Sequence, residues 1–173
     1  MLPSVRTCAL ALAASLSMPL AWADPAQPVD PARLKPFLPP AWKGMEQHKV
    51  EVGRDMFTGK TSQAQAHYKA GFNGPARLEL VVRISDEGAN AARMYRDHGA
   101  DYLKQDVKNE TQKSLVQGGR RFLLTSATAT SMNIETQVGG RWMVSLSCIE
   151  ATEAQCLDAL GKVDFAGLEK LKP

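Results

Sequence analysis

Little in the 173-residue chain marks a specialised binder or catalyst. Charge of one sign is nearly lacking: 21 Lys+Arg stand against 18 Asp+Glu, a formal +3. That excess leaves no electrostatic footprint for nucleic acid, and 6% aromatics give bases little to stack on. Gly 13 and Pro 10 exclude collagen-like and low-complexity classes. No stretch reaches the roughly 18 apolar residues a membrane helix needs. What remains is ordinary globular composition, 44% hydrophobic and 23% charged, at a length typical of one domain.

Catalytic patterns are equally sparse. There is no Gly-x-Ser-x-Gly elbow, and no carboxylate pair stands apart from neighbouring basic residues. Gly53 to Thr61 looks like a phosphate loop, but five residues separate Gly53 from Gly59 where four are needed. It reads as an exposed turn with Lys60. His48, His67 and His98 are the only histidines, and none has a zinc-type spacing. His98 reads as a hydrogen-bonded residue at the edge of a core. No cofactor is implied, and the chain reads as a non-enzyme.

The strongest positive signal is at the N-terminus. Arg6 gives a short basic region, Cys8 to Leu20 is apolar or small, and Ala21-Trp22-Ala23 places small residues at −3 and −1 of a cleavage site. Residues 1–23 therefore read as a cleaved secretory signal, which addresses the chain to the periplasm or outside the cell and leaves no stable membrane span. Only Cys148 and Cys156 then remain. In an oxidising compartment they read as a disulfide; the C-x7-C spacing gives no support to thioredoxin-type chemistry.

Residues 24–30 read as a flexible mature N-terminus and 31–173 as a single α+β domain. Asp30-Pro31 looks like the start of a short helix that Pro39-Pro40 end. Trp42 reads as a cover for one edge of the core. Residues 46–53 alternate only weakly, and Ser62–Phe72 alternate moderately. Leu78, Leu80, Val82 and Ile84 mark the clearest strand. Residues 87–104 switch to helical period through Ala91, Met94, Tyr95, His98 and Tyr102, predicting one long helix on a face of the sheet. Strand character returns over 110–149. Thr152 or Glu153 opens a short helix stopped at Gly161, and Asp164 caps another.

Hydrophobic pattern fixes one register in advance. A two-residue turn at Gly139-Gly140 would split the large apolar residues between two faces. A three-residue loop, Gly139-Gly140-Arg141, pairs Val138 with Trp142 and gathers them on one. The fold class is thus α+β: a mainly antiparallel sheet of five to seven strands, with one long helix and short terminal helices.

Two binding readings follow. If 120–126 and 131–138 are separate strands, the Gly-Gly-Arg turns lie at the same end of the sheet. Arg120, Arg121 and Arg141 then form a basic patch suited to a small anionic ligand or to an unidentified periplasmic protein partner. The alternative is a copper-type metal site, in which His48 and His67 are joined by the thioethers of Met45 and Met56.

The layout also resembles small exported bacterial proteins of unknown function. The matching residues are Leu38-Pro39-Pro40-Ala41-Trp42, the Leu-rich strand into Asp86 and a helix, Gly140-Arg141-Trp142, and Asp164-Phe165-x-x-Leu168. The resemblance covers most of residues 34–171. It implies a sheet-and-helix domain similar to the PsbP-like fold, and carries no catalytic residues.

Overall fold

The structure is a computed structural model and describes residues 27–54, 60–70, 77–88, 106 and 108–173. Seven antiparallel strands form one sheet: β1 (Met45–Arg54), β2 (Ser62–Ala70), β3 (Glu79–Asp86), β4 (Gln112–Gln117), β5 (Arg120–Ser126), β6 (Ser131–Val138) and β7 (Trp142–Ile149). Their order across the sheet is β1-β2-β3-β7-β6-β5-β4. Two helices follow, α1 (Glu153–Leu160) and α2 (Phe165–Lys170). Of the long helix expected over 87–104, residues 89–104, His98 among them, lie outside the described residues, as do the signal segment 1–23 and Met56. Every described helix is short.

The sheet buries the face that strand alternation marks. Ala64, Ala66 and Tyr68 of β2, Leu80, Val82 and Ile84 of β3, and Val144, Leu146 and Cys148 of β7 lie in rows against Ile134 and Val138 of β6. The β6–β7 hairpin has the odd-length loop: Val138 pairs with Trp142, Thr136 with Val144 and Ile134 with Leu146. Gly139 and Gly140 carry it at φ 58° and 71°, where a side chain would be strained. A one-residue slip would turn Trp142, Val144 and Leu146 away from the core.

Strand β1 explains its own weak alternation. Its pairing with β2 shifts between Gln47 and Lys49, so a β-bulge leaves His48 outside the ladder. Met45 and Val50 are five apart and would face opposite ways on a regular strand. With the bulge, both pack on the core.

The N-terminal segment differs from expectation. Val29, placed within the flexible stretch 24–30, is 4% exposed and joins the core. Its N–H donates to Asp86 Oδ2 at 2.8 Å, and Ser62 Oγ donates to its carbonyl. The short helix after Asp30 is two 3₁₀ turns, Pro31–Arg33 and Lys35–Phe37. Pro36 has no N–H to continue an α ladder through it. Asp30 still caps the first turn by accepting from Ala32 N–H at 2.9 Å. Trp42 packs against Tyr68 with the ring centres 4.8 Å apart and the planes tilted by 51°, and Tyr68 donates its hydroxyl to Pro39 O at 2.6 Å. Burial pushes that phenol up to about 12.

The C-terminal helices cover the buried face. Thr152 and Gln155 form a reciprocal capping box at α1, and Asp164 accepts from Gly167 N–H at α2. Cys148 on β7 and Cys156 on α1 are at disulfide distance, with Cα atoms 6.3 Å apart, and both are buried. Closing so short a loop restricts the unfolded chain by about 2.5 kcal/mol in the chain-entropy model. Reducing the pair is therefore expected to lower the unfolding free energy by roughly 2–3 kcal/mol, read from urea midpoints with and without reductant. Identical midpoints, or two titratable thiols in freshly isolated protein, contradict the pairing.

Candidate functional site

The two Gly-Gly-Arg turns do lie at one end of the sheet, because β5 and β6 are separate antiparallel strands. The three arginines nevertheless part. Alternation sends Arg121 to the face opposite Arg120, and Arg121 Nη1 pairs with Asp106. Arg141 turns toward the end of β3. Its Nε and Nη2 donate to the two oxygens of Asp86 at 2.9 and 2.8 Å, and Nη2 also donates to Gln27 O at 2.8 Å. That pair is deep, with side chains 11% and 0% exposed. Arg141 is thus a structural cation, and each of the three arginines has a carboxylate partner of its own.

Arg120 is placed differently. Pairing between β5 and β6 stops at Leu123 and Glu135. Beyond it, Thr136 Oγ1 donates to Arg121 O at 2.8 Å in place of a ladder bond. Past this point, β5 and the β4–β5 turn border a cleft facing α1 and α2. Its volume is about 390 Å³, and Gln117, Arg120, Phe122, Leu160, Phe165 and Glu169 line it. Phe122 and Phe165 meet edge to face at 5.9 Å, giving an apolar floor. The Arg120 guanidinium lies 4.8 Å from the Phe165 ring centre and pairs with Glu169, whose side chain is 47% exposed. Gln117 Nε2 donates to Leu157 O at 3.1 Å, while its Oε1 is a buried acceptor without a partner among the described residues.

The histidine pair lies across the sheet. His48 and His67 rings are 5.7 Å apart and nearly perpendicular. Met45 does not join them: it packs in the core on the other face, and Met56 lies outside the described residues. The neighbours of His67 are carboxylates, Glu79 Oε1 at 3.2 Å from Nδ1 and Glu51 Oε2 at 3.3 Å from Nε2. Lys49 and Gln65 hydrogen-bond Glu51 and hold its carboxyl down to about 2. Among the described residues no three His, Cys, Asp or Glu side chains already converge as metal ligands. Sequence reasoning missed the two glutamates, although Glu51 lies within the weak strand and Glu79 opens the clear one. It also missed Gln117 and Glu169, which reach the cleft from β4 and α2.

The chain matches no family model, no curated protein and no solved structure, so the resemblance drawn from its short motifs rests on those motifs alone. No helix among the described residues is long and apolar enough to cross a membrane.

One titratable group off the cleft reports on packing. Glu135 pairs across the sheet with Ser145 and Leu123, and burial raises its carboxyl. A raised folded-state value favours the folded protein below the ordinary glutamate range and costs stability as pH climbs through and above it. Glu135→Gln is therefore expected to raise the urea midpoint at pH 7 and to lose that gain near pH 4. An equal gain at both pH values, or a loss at pH 7, contradicts the assignment.

Proposed function

We propose that the chain is an exported, periplasmic binding protein that takes a small anionic ligand in the Arg120 cleft and performs no chemistry on it. The secretory pattern of residues 1–23 supports the address. The site reading is carried by one observation: Arg120 lies in a cleft, over an aromatic floor, and is held by a half-exposed carboxylate. A partner that exposed exchanges at low cost, because surface ion pairs contribute about 0–1 kcal/mol. Glu169 then occupies the place of a ligand carboxylate. Arg suits that group through its planar fork. The volume matches small-molecule sites, which favours a small ligand over a protein partner. Phe122, Phe165 and Leu160 would contact an apolar body, and Gln117 Oε1 would accept from a hydroxyl or amino group. The ligand class is an aromatic carboxylate bearing such a donor.

The test is a nuclear magnetic resonance titration of protein from the periplasmic fraction with 4-hydroxybenzoate. We expect saturable amide shifts at Gly118, Gly161 and Ala166, and a mass that begins at Asp24. A charge-assisted bond contributes about 1.5–3 kcal/mol, so Arg120→Met is expected to weaken binding roughly 10- to 100-fold. Glu169→Ala is expected to strengthen it by removing the internal competitor. Shifts that persist unchanged in Arg120→Met overturn the site, and an intact Met1 overturns the address.

A further inference from the structure

The β1–β2–β3 face holds a second constellation that the cleft does not use. The bulge after Gln47 takes His48 out of the ladder and brings its ring to 5.7 Å from that of His67. Bulges re-aim side chains in this way. His67 stands between two carboxylates. A neutral imidazole has one donor and one acceptor nitrogen. With Nδ1–H directed at Glu79 Oε1, 3.2 Å away, the Nε2 lone pair faces Glu51 Oε2 at 3.3 Å. In that tautomer two acceptors face each other, an arrangement that a cation between them would satisfy. The Gln65 amide now supplies a weak substitute: its Nε2 lies 2.8 Å from Glu51 Oε2 and 3.3 Å from His67 Nε2. Arg83 Nε holds the other end of that amide at 3.1 Å.

The spacing has a specific meaning. Two ligands on one tetrahedral ion, each bonded at about 2.0–2.1 Å, are roughly 3.3 Å apart. His67 Nε2 and Glu51 Oε2 already have that separation. A carboxylate behind the distal ring nitrogen is the usual support of a metal-binding histidine, since it fixes tautomer and ring orientation. Glu79 stands there. Lys49 Nζ takes Glu51 Oε1 at 2.8 Å, so that Oε2, which now accepts from the Gln65 amide, is the oxygen that would turn to an ion. His48 is exposed on the bulge and can complete three ligands by side-chain rotation.

We propose that His67 Nε2, Glu51 and His48 bind a divalent transition-metal ion of the Zn²⁺ type, with Glu79 orienting His67 and the Gln65 amide giving way. The donors are imidazole and carboxylate, so the site suits Zn²⁺ or Cu²⁺ rather than the soft Cu⁺ of a thioether set. It is independent of the Arg120 cleft.

Calorimetric titration of the exported chain with Zn²⁺ alone tests this, alongside the visible bands of tetrahedral Co²⁺. One ion per chain is expected. His67→Ala is expected to lower affinity at least tenfold, His48→Ala to lower it less, and Glu79→Gln to lower it through the orientation of His67. His67→Gln serves if the alanine variant unfolds. Gln65→Ala is the discriminating variant: removal of the competing amide is expected to raise affinity severalfold, whereas a purely structural cluster gives no such rise. The proposal falls if wild type shows no saturable binding, or if affinity is unchanged in both His67 variants.

Discussion

A buried carboxylate holds this sheet to its N-terminal segment. Asp86 ends β3 with no exposure and receives four donors: Arg141 Nε and Nη2, Val29 N–H, and Gly88 N–H. Arg141 reaches on to Gln27 O and lies over Trp142 at 5.2 Å. Three remote pieces of chain meet there: the segment at 27–29, the end of β3, and the β6–β7 hairpin. Removing two charges from water costs several kcal/mol per ion, which is recovered only when hydrogen bonds satisfy both groups. The bidentate geometry and the two backbone donors meet that condition. The same knot makes the odd-length hairpin loop consequential, because only that loop leaves Arg141 beyond the Val138–Trp142 pair and free to turn toward Asp86.

The consequence for binding is a division of labour among chemically equal residues. Arg141 is committed to a fully buried partner, whereas Arg120 is held by an exposed one at the mouth of a cleft. The sheet's two faces separate the candidate chemistries. The face under α1 and α2 carries an apolar cleft with one exchangeable cation. The other face, over β1–β3, carries imidazoles and carboxylates, one of the imidazoles placed by a bulge.

Local signals in the sequence were legible where neighbours in the chain decide the structure. Thr152 and Asp164 cap α1 and α2, and Asp30 caps a turn, because each cap bonds within three residues. The β6–β7 register was legible because burial permits only one. The cysteine pair was legible because Cys148 and Cys156 lie eight residues apart, far in the chain from Cys8. Long-range partners were not legible. Arg141 and Asp86 are 55 residues apart, and Arg120 and Glu169 are 49 apart. No periodicity links such pairs, so the arginines read as a surface patch. The bulge at His48 was hidden for another reason: it corrects the alternation of β1 and so appears in the sequence only as a weak strand. Pro36 lacks the N–H an α-helix would need there, and the segment before Pro39 is two turns and not one helix. Val29 has a polar, proline-rich context that masks its anchoring by Asp86.

The measurement that bears most directly on the buried knot is a double-mutant cycle in urea, with Asp86→Asn, Arg141→Met and the two combined. Each single change leaves a buried group without its partner and is expected to cost about 3–5 kcal/mol, and the double variant is expected to lose clearly less than the sum. If Arg141→Met keeps the wild-type midpoint and instead abolishes binding of a carboxylate ligand, Arg141 is a recognition residue and the organisation described for this sheet is wrong.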